Sequence, residues 1–269
     1  MVVRKDDSGK RWVEMEFVVP GTPEQVWDAI ATGPGMQAWF TKVEVDGGVG
    51  GRIVFHFGPD QTSSGPITVW EPPVRFGYEE HGWQGDAPAL ATEIVVTSRS
   101  GDECVVRMVH TMTTDADDWD GELESFEKGW PGFFEVLRIY LRDYAGRPGA
   151  TAGAMAPLET DAARSWVDLT TALNLHGVDV GERREAPAGA PELGGRVELA
   201  HQDVENRYVL LRLDAPLDGV AVIGVGNCAG PHGMATASLY FYGDDACRVA
   251  AEQDEVWAAW LSNRVRVMA

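Results

Sequence analysis

Residues 12 to 17 alternate, with Trp12, Glu14 and Glu16 against Val13, Met15 and Phe17. That is the period of a half-buried strand, and Pro20 ends it. TPEQVWDAI changes the period. Thr22 suits a helix cap, Pro23 suits the first helical position and Gln25 completes a capping box. Val26, Trp27 and Ile30 form the apolar side. GPG at 33 to 35 reads as a break, and MQAWF as a second short helix. Period two returns in KVEV, RIVFHFG, GPITVWEPP, VRFGYEE, ATEIVVTSRS and CVVRMVHTM, with GGVGG at 47 to 51 as a hairpin turn. DADDWDGELESFEKGW then opens a long helix running to about Tyr144. Within it, GWPGFFEVLRIYL puts Trp130, Phe133, Phe134, Leu137 and Leu141 on one side, with Val136 and Tyr140 beside them. The predicted class is α+β. A meander of antiparallel strands cannot cover both its faces, so the last helix is expected across the concave side.

AGRPGATAGAMAPLE is rich in Gly, Ala and Pro and nearly free of charge, so residues 146–158 read as a linker between a domain at 1–145 and another at 159–269. Beyond it the pattern partly recurs. DAARSWVDLTTAL is similar to the first helix, with Trp166 placed like Trp27, and LGGRVELAH echoes VGGRIVFHF. RYVLLRLDAP, GVAVIGV and ATASLYFYG predict three more strands, and DEVWAAWLSNRV a closing helix. The second half therefore reads as a shortened, diverged copy that lacks the first strand.

The pieces VPGTPEQVWDAIATGPGMQAWF, GGRIVFHFG, ITVWEPPVRFGYE, VVRMVHT and GWPGFFEVLRIYL, in this order and spacing, carry a family resemblance. Residues 12–145 resemble the START-like SRPBCC superfamily, in the branch homologous to the activator of the ninety-kilodalton heat-shock chaperone ATPase. The resemblance implies a helix-grip fold: a seven-stranded sheet curled around a long C-terminal helix, with a cavity between them. It implies binding of apolar small molecules, and in some members cyclase or hydrolase activity. Nothing in the chain resembles the activator's separate chaperone-docking domain.

Charge narrows the partners. The net charge is −20, and residues 1–145 carry 12 basic and 25 acidic side chains. Neither a nucleic acid nor an anionic membrane surface suits such a protein. A small apolar, aromatic or cationic molecule does. The N-terminal residues lack the apolar core of a signal peptide and no run reaches a membrane span, so a cytoplasmic protein is expected. Three cysteines at wide spacing form neither a disulfide framework nor a zinc motif.

For the expected cavity the candidate lining is Trp39, Val54, His56, Trp70, Met108, His110, Trp130, Phe133, Phe134, Leu137 and Leu141. On the strand RIVFHF, alternation offers two sets, Arg52, Val54 and His56 or Ile53, Phe55 and Phe57, and does not say which points inward. His56 and His110 are the candidate acid–base pair. Their alternative is a structural or exposed strand position, because no nucleophile accompanies them. Arg52 and Arg107 either meet an acidic ligand group or face outward. DADDWDGELESFE approaches a calcium loop through Asp118, Asp120 and Glu127, but Ala116 stands where the first Asp belongs, and the cluster equally suits a helix N-terminus. VAVIGVGNCAG mimics a dinucleotide fingerprint, yet an alternating run follows where a helix is required, so a hairpin is the better reading. No metal and no cofactor is expected. The function read from the sequence is small-molecule binding, with sequestration or a stress or resistance role as its variants. The alternatives are a cyclase- or hydrolase-type enzyme using a cavity histidine, or a module that associates with a chaperone.

Overall fold

The structure is a computed structural model that describes residues 3–58, 61–83, 86–114, 119–226 and 233–267. The chain divides into two compact units, 1–146 and 147–269.

The first unit begins with a two-residue strand β1 (Arg4–Lys5) and a long β2 (Lys10–Pro20), followed by α1 (Pro23–Ala31) and α2 (Gly33–Gln37). The capping box of α1 forms as the sequence predicts, with Thr22 accepting from the Gln25 amide and Gln25 accepting from the Thr22 amide. GPG does more than break α1. Thr32 caps the Gly35 amide, Pro34 occupies the first turn, and the segment opens α2. Gly35 is required there: a Cβ would lie 1.8 Å from the Asp28 carbonyl oxygen.

Six strands follow: β3 (Lys42–Val45), β4 (Arg52–Gly58), β5 (Gln61–Glu71), β6 (Arg75–Glu80), β7 (Leu90–Arg99) and β8 (Glu103–Thr113). The sheet is antiparallel, ordered β1-β2-β8-β7-β6-β5-β4-β3. It has eight strands rather than seven, because β1 adds a short edge. The long helix α3 (Asp120–Ile139) continues into a π-helical turn at Tyr140–Tyr144. Its N-terminal Asp120 pairs with Lys5 at 2.5 Å and Arg11 at 2.6 Å, which ties the helix to β1 and β2.

The sheet must curl to hold α3. Phe134 of the helix stacks on Phe17 of β2 with ring centroids 3.6 Å apart. The same helix meets Phe40, just past α2, through Trp130 at 4.8 Å and Phe133 at 5.1 Å. Phe40 in turn touches Phe55 of β4 at 6.1 Å. Strands β2 and β4 are five steps apart in the sheet, roughly 24 Å if it were flat. A helix about 10 Å across reaches both sides, even with one bridging ring, only if the sheet wraps around it.

The second unit comprises β9 (Gly149–Pro157), α4 (Ala162–Ala172), β10 (Arg183–Glu185), β11 (Gly194–Gln202), β12 (Asn206–Ala215), β13 (Gly219–Gly226), β14 (Met234–Tyr242) and α5 (Ala246–Val267). Its sheet runs β10-β11-β12-β13-β14-β9. Two expectations are corrected here. Residues 149–157, read as linker, are a strand, and the second unit does not lack its first strand. In both units the strand before the first helix pairs antiparallel with the last strand of the sheet: β2 with β8, and β9 with β14.

Low side-chain mass hid β9. Ala150, Ala152, Ala154 and Ala156 alternate along ATAGAMAP and all four are buried. Their small size admits α5 directly onto the strand, with Ala246, Val249, Ala250, Trp257 and Leu261 in the same core. Asp254 of α5 accepts from the Gly153 amide at 2.8 Å, which covers part of an otherwise open strand edge. The fingerprint-like glycines lead into a hairpin: β13 and β14 pair antiparallel from Gly219↔Phe241 to Gly226↔Met234, and residues 227–232 lie outside the described residues.

The alanine face sets a close helix–sheet distance. Ala152→Leu is therefore expected to destabilise the second unit by about 1–3 kcal/mol through overpacking. Hydrogen exchange of the β14 amides would report it as faster opening, with the β7 and β8 amides unchanged.

Candidate ligand-binding site

The concave face of the first sheet is set by alternation. On β8, Cys104, Val106, Met108, His110 and Met112 are buried, and between them lie partly exposed residues. On β6 the inward residues are Phe76, Tyr78 and Glu80. On β4 they are Ile53 and Phe55, with Phe57 half-buried beyond them.

This settles the two sets on β4 and moves two candidates. Val54 and His56 lie on the other face, away from α3, because Phe55 between them turns its ring to Phe40. His56 is partly exposed and its Nε2 lies 3.0 Å from Glu44 Oε1 on β3. Arg52 and Arg107 share that outer side, where Arg52 meets Ser64 and Arg107 donates to Glu14 at 2.6 Å.

The remaining candidates fall into two groups. Trp130, Phe134, Leu137 and Leu141 are buried along α3 and its π-helical turn, and Phe133 is half-buried. Met108 and His110 lie on the facing strand. Trp39 is fully buried 6.3 Å from Trp130, and its indole N–H donates to the Ala29 carbonyl at 2.9 Å. Trp70 belongs elsewhere: it packs edge-on against Trp27 at 5.1 Å and Phe76 at 5.6 Å, under α1.

His110 is the joint between helix and sheet. The Trp130 indole N–H donates to its Nε2 at 2.8 Å. Nε2 is therefore the acceptor and the proton sits on Nδ1, which donates to Thr92 Oγ1 at 2.9 Å. Burial holds the imidazole neutral and lowers its pKa to about 4. Both ring nitrogens are spent on these bonds, leaving none free for acid–base work. The Tyr78 hydroxyl also bonds the Thr92 side chain, and burial, with Glu80 nearby, raises it well above its usual range. The polar row Tyr78, Thr92, His110 follows the cross-strand register of β6, β7 and β8.

Sequence reasoning missed Glu80. Its side chain is buried on β6, and Ser63 of β5 donates to its Oε1 at 2.5 Å. Burial raises its pKa to about 7, with the Ser63 bond pulling the other way. The signal was present in VRFGYEE, where period two puts Glu80 on the same side as Phe76 and Tyr78. Phe40 was missed for a different reason: it lies past the end of a helix, where no periodicity assigns a direction.

Around these groups runs an aromatic band. Trp83, Trp119 and Phe126 meet at one end, and Phe126 lies 5.5 Å from His110. At the other end Phe40 and Phe133 pack on Trp130, Phe57 packs on Phe40, and all three phenylalanines are only partly buried. Between sheet and helix the rings are in mutual contact. A groove of about 330 Å³ lies on the opposite, outer face, lined by Trp12, Val69, Gly77, Glu93, Arg107 and Val109.

Residues 20–142 match the family model described as activator of Hsp90 ATPase homolog 1-like protein. Among solved structures, CalU16 from Micromonospora echinospora is similar at 20% identity and TM-score 0.43, over 53% of this chain and 83% of that one. The Aha1 protein from Colwellia psychrerythraea, solved as a dimer, matches at 19% identity and TM-score 0.41, over 50% of this chain and 98% of that one. DynU16, a protein of the dynemicin biosynthetic locus, matches at 16% identity and TM-score 0.42, over 96% of this chain and 99% of that one. No curated protein matches the chain significantly.

Among the described residues no three His, Cys, Asp or Glu side chains gather as a metal site. Of the calcium-like loop, residues 115–118 lie outside the described residues, and Asp120 is held by Lys5 and Arg11. No helix among the described residues is long and apolar enough to cross a membrane.

Glu80 and His110 have opposite effects on stability as pH changes. The unfolded chain releases the Glu80 proton near 4.5 and the folded chain near 7, so this group's contribution falls as pH rises through that window. His110 takes up a proton near 6.5 when unfolded and near 4 when folded, so its contribution falls as pH drops from 6.5 to 4. Relative to wild type, Glu80→Gln is expected to gain stability between pH 4.5 and 7 and to level off above, by on the order of 3 kcal/mol. Urea denaturation across that range measures it; a pH-independent difference contradicts the assignment.

Proposed function

We propose that the first unit binds a small apolar or aromatic molecule between the sheet and α3, entering at Phe40, Phe57 and Phe133. One observation carries this reading. Phe40, Phe57 and Phe133 form a chain of large rings, two of them against Trp130 and Phe57 against Phe40, and all three stay partly exposed, although full burial of such rings is the strongly favoured outcome in a closed core. Apolar clefts with a few convergent polar groups are the usual form of a small-molecule site. Glu80, Ser63 and the Thr92–His110 pair supply such groups.

Access requires the rings to part, and α3 is built to yield there. Gly129, Pro131 and Gly132 fall within one turn. Pro131 provides no N–H for the Glu127 carbonyl, which removes a hydrogen bond from the helix ladder beside Trp130. The match of residues 20–142 to the family model supports the reading without naming a ligand.

Nile red, a neutral apolar dye, is expected to bind saturably at one site, with quenching of tryptophan fluorescence. Phe133→Glu puts a charge in the mouth at a half-exposed position and should weaken the dye about 10-fold or more, a loss of roughly 1.4 kcal/mol, with unchanged circular dichroism. Native mass spectrometry of the purified protein should show a non-covalent adduct on the wild type. Absence of saturable dye binding, or equal binding by the variant, would overturn the proposal.

A further inference from the structure

Glu80 is unusual among the buried side chains of the first unit. A glutamate only 8% exposed sits on the apolar side of a strand. Arg11, also buried, answers its charge by pairing with Asp120, and the outer-face Glu14 is paired with Arg107. Glu80 has no cation: among the described residues its hydrogen-bond partner is the Ser63 hydroxyl, at Oε1. Burial of an uncompensated carboxyl is costly, and an apolar residue of similar size would remove that cost.

Its position links it to the aromatic mouth. Ser63 stands directly opposite Phe55 in the β4–β5 register. The Phe55 ring lies 5.5 Å from Tyr78, 6.0 Å from Phe57 and 6.1 Å from Phe40. The carboxyl is therefore one side chain behind the wall of the proposed cleft, on the same inner face. Aromatic rings with an anionic group behind them form a surface complementary to an organic cation: the ring faces attract the charge, and the carboxylate pairs with it. The field of the unit acts in the same direction, since residues 1–145 carry a net charge of −13.

Resting on the cleft reading above, we infer that the molecule bound there is an organic cation, an apolar or aromatic body carrying a protonated amine that pairs with Glu80. The protein has already desolvated the carboxyl, so on the protein side that part of the cost of a buried ion pair is incurred at folding. Binding places the ammonium against Glu80, and any proton the carboxyl held leaves to solvent.

The test uses three probes of one skeleton on the full chain, followed by calorimetry: 4-phenylbutylamine, 4-phenylbutanol and 4-phenylbutyrate. The amine is expected to bind about 10-fold or more tighter than the alcohol, with the carboxylate weakest. Glu80→Gln keeps an acceptor for Ser63 and should abolish the preference, so that amine and alcohol bind within about 2-fold of each other. Glu93→Gln makes the same change in net charge on the outer face, where Glu93 pairs with Arg75, and should leave the preference intact. Equal affinity for amine and alcohol, or a preference that survives Glu80→Gln, overturns the inference while leaving the cleft standing. Failure of all three probes to bind wild type overturns the cleft itself.

Discussion

The Trp130–His110 hydrogen bond is the constraint on which the first unit depends. A helix crossing a curved sheet can slide or rotate, because apolar contact has no direction. One indole N–H meeting one imidazole nitrogen at 2.8 Å, both deep inside, fixes where along the sheet α3 stops. Any displacement leaves two buried polar atoms without partners, at roughly 1–3 kcal/mol each. The Thr92 and Tyr78 hydroxyls extend the same restraint across three strands. With α3 held at Trp130, Phe134 is delivered to Phe17, and Phe133 to Phe40.

Much of this was legible in the sequence. The strands of the first unit, the capped first helix and the stripe of α3 follow from period and cap chemistry, which are local. His110 and Met108 lie on the inner face of β8. What was not legible depended on partners far along the chain. Alternation on β4 could not say which set faces α3, because a strand has two equivalent sides until something covers one. That is why Val54 and His56 were placed inward. Glu80 was passed over because a carboxylate on an apolar side looks like noise until its burial is known. The strand β9 was read as linker because Gly, Ala and Pro have weak strand preference in isolation, and only contact with α5 makes alanine the right residue there.

The two units share a winding rule and differ in what fills it. In each, the strand before the first helix pairs with the last strand of the sheet in chain order, and a long helix ends the unit. In the first, indole and phenyl rings pack between helix and strands. In the second, methyl groups face α5 along β9. The contact of α5 with β9 is accordingly close.

The alanines of β9 also bear on how the chain tolerates sequence drift. From alanine, every substitution except glycine adds atoms, and glycine weakens a strand by removing what little it packs. Four successive inward positions on one strand thus have no harmless neighbour in sequence space. A core of leucines and valines can trade volume among its members, one shrinking as another grows. An alanine seam has nothing to trade. Mutation would then be purged hardest in the segment whose composition looks least constrained.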